Sequence, residues 1–116
     1  MAIDTTGIDL QSMREAADRS CSMLKTLSNP DRLLLLCKIA QNESCVGDLE
    51  EALGIHQPTL SQQLGVLRDE GLVETRREGK RIYYSVASQD ALAIMQTLYT
   101  QFCTTKRPTS RLTRKD

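Results

Sequence analysis

Apolar side chains at Met13, Ala17, Cys21 and Leu24 follow steps of four, four and three, which predicts an amphipathic helix over about residues 11–27. Asn29-Pro30-Asp31 then reads as a start signal. Asn caps, Pro loses nothing by lacking an N–H in the first turn, and Asp sits near the positive end of the dipole. The helix it opens runs through Leu33-Leu34-Leu35-Leu36-Cys37-Lys38-Ile39-Ala40, and four consecutive leucines cover too wide an arc for one stripe, so it is expected to be largely buried. A short helix follows over about 46–53, with Val46, Leu49 and Leu53 on one face and Gly54 as its stop. Gln57-Pro58 opens another, with Leu60, Leu64 and Leu67 inward and Gly71 as its close. Two short amphipathic helices joined only through Gly54-Ile55-His56 form a helix-turn-helix pattern.

The period then drops from 3.6 to 2. Leu72 to Arg77 and Arg81 to Val86 read as strands, the second with Ile82, Tyr84 and Val86 on one face, joined by a tight turn at Glu78-Gly79-Lys80. Ser88 can cap a last helix on which Leu92, Met95, Tyr99 and Phe102 recur. The expected fold is mainly α with a small β-hairpin, a winged helix-turn-helix in which four helices, two strands and a fifth helix follow one another. Residues 1–10 are expected to be a flexible arm, 11–105 the folded domain, and 106–116, which hold five basic side chains, a disordered basic tail.

A chain of 116 residues fits one domain. No apolar run approaches the roughly 18 residues of a membrane span. The N-terminus lacks a basic start and an apolar h-region, so no secretory signal is read and a cytoplasmic location is expected. Aromatic residues are 3% of the chain, which disfavours stacking platforms for single-stranded nucleic acid.

Net charge is zero, with 15 Lys and Arg against 15 Asp and Glu, but the charges are segregated. Glu43, Asp48, Glu50 and Glu51 lie in a stretch with no basic residue, whereas Arg76, Arg77, Lys80 and Arg81 crowd the hairpin around Glu78 alone. Such a cluster either reaches phosphate and an adjacent minor groove or keeps an exposed strand from aggregating. After a helix-turn-helix, the DNA reading gains weight. With its leucines inward, the helix from Gln57 leaves Gln57, Thr59, Ser61, Gln62 and Gln63 for its other face. Gln pairs bidentately with adenine and Ser or Thr serves bases or phosphates, although polar residues also merely solubilise helices.

The four cysteines, Cys21, Cys37, Cys45 and Cys103, contain no C-x-x-C pair, so zinc-ribbon and thioredoxin-type readings lack their signature. In a reducing compartment each thiol is either a small buried hydrophobe or a redox or metal sensor. His56, the one histidine, is expected to cap or pack at the turn, and no metal-ligand spacing surrounds it. Without a nucleophile–base pair or a phosphate loop, the chain does not read as an enzyme, and no cofactor is expected.

Several ordered stretches resemble the ArsR/SmtB family of dimeric bacterial repressors. They are Leu24-Lys25-Thr26-Leu27-Ser28-Asn29-Pro30-Asp31-Arg32, then Cys45-Val46-Gly47-Asp48-Leu49, then Gln57-Pro58-Thr59-Leu60-Ser61-Gln62-Gln63-Leu64-Gly65-Val66-Leu67-Arg68. The wing Val73-Glu74-Thr75-Arg76-Arg77-Glu78-Gly79-Lys80-Arg81-Ile82-Tyr83-Tyr84 is similar to that family's as well, and the likeness spans about residues 12–104. It implies a homodimer joined by the first and last helices, with Gln57, Thr59, Ser61, Gln62 and Gln63 on the recognition helix and Arg76, Arg77, Lys80 and Arg81 on the wing. The operator it implies is an imperfect palindrome in double-stranded DNA, with half-sites ~34–36 Å apart.

The family's metal sensors carry Cys-x-Cys on the third helix or Asp, His and Glu on the last. Here Gly47 stands where the second thiolate would be, and the last helix has no His. A metal or metalloid sensor using Cys45 with other thiolates is the alternative reading. The positions of Cys37 and Cys103 resemble the family's persulfide-responsive branch. That likeness implies a repressor in which the two thiols of one subunit become joined by a disulfide or a chain of sulfane sulfurs and DNA is released, with sulfide detoxification genes as the expected target. A direct disulfide needs Cα atoms about 4.4–6.8 Å apart, so thiols held beyond that limit would favour the longer sulfur bridge. Cys103 lies one turn beyond Tyr99 on a helix expected at the dimer interface, so tying it to Cys37 would bias the spacing of the two reading helices.

Overall fold

The computed structural model describes residues 2–4 and 6–103. The basic stretch expected as a tail from residue 106 lies outside them. In chain order the elements are α1 (Leu10–Leu27), α2 (Pro30–Gln41), β1 (Ser44–Cys45), α3 (Val46–Leu53), α4 (Thr59–Asp69), β2 (Val73–Glu78), β3 (Arg81–Val86) and α5 (Gln89–Phe102). No helix among the described residues is long and apolar enough to cross a membrane.

The capping chemistry acts as the residue types require. Asn29 Oδ1 accepts from the Arg32 N–H at 3.1 Å, with Pro30 in the first turn of α2. Ser88 Oγ accepts from the Ala91 N–H at 3.0 Å and opens α5. Gly54 ends α3 at φ +70°, a left-handed conformation that costs a residue with a Cβ free energy. Gly79 turns the hairpin at φ +63°, with Glu78 paired to Arg81 on either side of a two-residue loop.

The core lies where the helices converge. Leu35, Leu36, Leu49, Leu60, Leu67 and Ala91 are fully buried, joined by Leu64 and Met95 and closed at the wing base by Leu72 and Val73. The i, i+4, i+7 leucines of α4 therefore bury one side of that helix in the shared core, against α2 and the base of β2, and leave its opposite face to solvent.

Several expectations are corrected. The sheet has three strands in the order β1-β3-β2, because Ser44 and Cys45 pair with Tyr84 and Tyr83. Two residues are too few to show a period-2 signal, so β1 is invisible to patterning. The first wing strand runs one residue later than expected, since Leu72 turns inward and its carbonyl accepts from the Ala87 N–H at 2.8 Å. Helix α4, expected to open at Gln57-Pro58, begins at Thr59, with Gln57 and Pro58 in the preceding turn. The α2 leucines are not uniformly buried: Leu35 and Leu36 are, Leu33 is half-buried and Leu34 is 48% exposed. The stripe on α1 contradicts no expectation: Met13, Ala17, Cys21 and Leu24 are exposed in the single subunit, and only Thr26 and Leu27 of that helix are buried. Tyr99 and Phe102, at the end of α5, are likewise exposed.

Candidate nucleic-acid interface and thiol pair

The turn and helix that follow α3 carry the candidate reading residues. Gln57, Ser61 and Gln62 are exposed, while Thr59 and Gln63 are half-buried. The three glutamines are not equivalent. Gln57 Oε1 accepts from the Ser61 N–H at 3.1 Å, satisfying one of the unpaired donors of the helix start. Gln63 Oε1 accepts from Arg32 Nη1 at 2.8 Å. Gln62 is exposed, and among the described residues no hydrogen bond engages its carboxamide, so its donor and its acceptor can both face a base edge.

The wing splits its cationic cluster. Opposite residues share a face, so Arg76 stands with Tyr83, and Arg77 with Ile82 on the other side. Arg76 lies over the Tyr83 ring, 4.9 Å from its centroid. Its Nε and Nη2 clamp the two oxygens of Glu43 at 2.7 and 2.9 Å, and Nη1 reaches Glu78 Oε1 at 2.9 Å. The Arg76 hydrogen bond holds the Glu43 carboxyl below its usual range, and the two carboxylates push Arg76 further up. Arg76 is thus engaged in fastening the wing to the loop before β1, a fork-to-carboxylate pairing that Lys would not reproduce. Arg77, Lys80 and Arg81 are exposed, and no ion pair occupies them among the described residues.

The acidic stretch that looked unpartnered along the chain acquires partners in space. Glu43 takes Arg76, and Glu50 Oε2 lies 3.0 Å from His56 Nδ1 on an exposed surface. Asp48 accepts from the Cys45 N–H at 3.2 Å, which lowers its carboxyl, with Arg81 and Lys38 adding smaller favourable fields. Glu43 and Glu78 thus take up Arg76, while Arg77, Lys80 and Arg81 keep the exposed charge of the wing.

The thiols occupy different environments. Cys21 is exposed on α1, and Cys45 is buried at the start of α3. Cys37, half-buried on α2, lines a pocket of about 320 Å³ with Ala40, Gln41, Leu92, Met95, Gln96 and Tyr99. Cys103 is exposed at the end of α5, its N–H bonded to the Tyr99 carbonyl at 2.9 Å. Burial pushes the Cys37 thiol up, with a smaller push in the same direction from Cys103. The geometric link between the two is Tyr99, which lines the Cys37 pocket and whose carbonyl holds the Cys103 N–H. Of the two, Cys103 has the access an attacking thiolate needs. Near neutral pH, iodoacetamide is expected to alkylate Cys103 well before Cys37, and timed peptide mass spectrometry checks the order. Among the described residues no three His, Cys, Asp or Glu side chains converge to hold a metal ion.

Helix α4 following α3 across a short turn, beside the β2–β3 hairpin, defines a winged helix-turn-helix domain. Residues 29–75 match the family model described as bacterial regulatory protein, arsR family. The biofilm growth-associated repressor of Agrobacterium fabrum is 50% identical over 101 residues, covering 87% of this chain and 86% of that protein. The chain belongs to the arsR family of DNA-binding transcription regulators. Among solved structures, the transcriptional repressor BigR from Xylella fastidiosa superimposes with a TM-score of 0.77 at 46% identity, over 86% of this chain and 99% of that one. The homodimeric winged helix-turn-helix DNA-binding domain from Mycobacterium bovis does so with a TM-score of 0.65 at 32% identity, over 87% and 89%.

Proposed function

We propose that the chain is a homodimeric repressor that holds operator DNA while Cys37 and Cys103 are reduced thiols and releases it when reactive sulfur joins them. What supports this reading is that Cys37 on α2 shares its pocket with Tyr99 of α5, whose carbonyl takes the Cys103 N–H one turn further on. Similarity to the biofilm growth-associated repressor supports repression, and the outward stripe of α1 with exposed Tyr99 and Phe102 supports a partner subunit on that side. Control of sulfide detoxification genes follows from the same reading.

The chemistry balances without a further oxidant. The Cys103 thiolate attacks the sulfane sulfur of a low-molecular-weight persulfide, and the donor leaves as its thiol, which gives a Cys103 persulfide. The Cys37 thiol then attacks Sγ of Cys103 and expels hydrogen sulfide, closing a disulfide. If Cys37 has also acquired a sulfane sulfur, condensation of the two persulfides expels one hydrogen sulfide and leaves a three-sulfur bridge. Treatment with glutathione persulfide is expected to give an intrasubunit Cys37–Cys103 crosslink by mass spectrometry together with loss of operator binding. Release without that crosslink refutes the assignment.

On DNA, Gln62 and Ser61 are the proposed base readers, supported by Thr59, and Arg77, Lys80 and Arg81 the proposed phosphate contacts. Gln57 and Arg76 order the helix start and the wing. Arg77→Ala is expected to reduce the slope of log affinity against log salt by about 1, the signature of one lost phosphate contact. Arg76→Ala is expected to weaken binding with the slope unchanged. Binding isotherms across a salt series separate the two, and a slope change at Arg76 would make it a phosphate contact instead.

A further inference from the structure

Arg32 sits in the first turn of α2, yet its side chain serves neither α2 nor solvent. Nε donates to the Thr26 carbonyl at 2.7 Å and Nη2 to the Lys25 carbonyl at 3.4 Å. Both carbonyls belong to the last turn of α1; that of Lys25 already accepts the Ser28 N–H at 3.3 Å and the Ser28 hydroxyl at 2.8 Å, so the short bond to Thr26 is the one by which Arg32 holds this helix end. From the same guanidinium, Nη1 donates to Gln63 Oε1 on α4 at 2.8 Å. Arg32 and Gln63 are half-buried and Thr26 is buried, so water competes poorly for these bonds.

Two chemical facts sharpen this arrangement. A guanidinium only donates, so the atom facing Nη1 must be the oxygen of Gln63, and the orientation of that carboxamide is settled. A guanidinium is also planar, with its donors at fixed angles, so it can serve α1 and α4 together only while the two helices keep one separation and one angle. Lysine has the charge without that fork.

We propose that Arg32 is a positioning residue for the recognition helix, which it ties through Gln63 to the end of α1, so that Gln63 acts as an anchor and not as a bidentate reader of adenine. This rests on α4 being the reading helix. With α1 on the outward apolar side of the subunit, the clamp gives the pose of each reading helix a fixed relation to that side.

The test is operator affinity of Arg32→Lys, Gln63→Ala and the double variant, measured by fluorescence anisotropy across a salt series, with thermal melting of each free protein. Each single change is expected to lower affinity about tenfold with the salt slope unchanged, because no phosphate contact is lost. The double variant is expected to bind no worse than the weaker single one, since both changes break the same bond. Additive losses, a slope reduced by about 1, or affinity within twofold of wild type at Gln63→Ala would overturn the proposal. Should Arg32→Lys fail to fold, Gln63→Ala alone decides by magnitude and slope. Gln62→Ala tests the underlying assignment. If it loses affinity while the clamp variants do not, only the clamp is wrong; if it binds as wild type, α4 is not the reader and the proposal falls with that assignment.

Discussion

The Cys103→Ser protein is expected to bind operator as tightly as wild type and to keep hold of it in glutathione persulfide, under conditions where wild type loses tenfold or more in affinity. Ser preserves size and capping at the exposed end of α5 but supplies no thiolate, so the first sulfur transfer never happens. Cys37→Ser is expected to fail at the other step. Its Cys103 still accepts a sulfane sulfur, visible as a mass increase of one sulfur, but nothing resolves it and DNA stays bound. Tenfold corresponds to 1.4 kcal/mol, within the ~1–3 kcal/mol usual for coupling between two sites. Cys21→Ser and Cys45→Ser serve as controls. The first residue stands on the outward face of α1 and the second is buried at the start of α3, and both variants are expected to respond as wild type. Operator release by either Cys37→Ser or Cys103→Ser in persulfide would remove the dithiol from the mechanism.

The second large effect is on stability. Leu60→Ala is expected to cost about 2–5 kcal/mol, from the lost transfer of buried methyl and methylene groups and from the cavity left behind. Leu60 is fully buried at the start of α4, in the same core as Leu35 and Leu36 of α2 and Leu49 of α3, so side chains of other helices would have to move to fill the space. Domains of this size have about 5–15 kcal/mol in total, and the loss should appear as a marked fall in the urea midpoint with an unchanged slope. Ser61→Ala, one position along and exposed, is expected to stay within about 0.5 kcal/mol of wild type while weakening DNA binding. Adjacent positions thus separate the two duties of one helix. Equal urea midpoints for Leu60→Ala and wild type would contradict the packing.

What the sequence makes legible is what local chemistry or a period can encode. Asn29-Pro30-Asp31, Ser88, Gly54 and Gly79 mark element ends because caps and positive φ are satisfied within a few residues. The leucines of α4 announce a buried face because a helix repeats its side every three to four positions. Three features escaped for a common reason. The pairing of β1 with β3, the Arg76–Glu43 clamp and the Arg32–Gln63 bond each join residues some thirty or more positions apart, and no period foretells which distant partner a side chain meets. Arg76 and Gln63 accordingly read as nucleic-acid contacts along the chain, although the fold engages them with Glu43 and Arg32. The exposure of Leu34 escaped differently. Apolar residues all round a helix predict burial, and a single subunit supplies neighbours on only part of α2.

Met13 and Leu24 on α1, Leu34 on α2 and Tyr99 and Phe102 on α5 leave large apolar side chains exposed on the single subunit. When a second subunit covers such side chains, holding the native state together becomes partly a matter of mass action. Dilution then loosens the molecule as heat does, and a cell making few copies would own a less robust regulator than one making many.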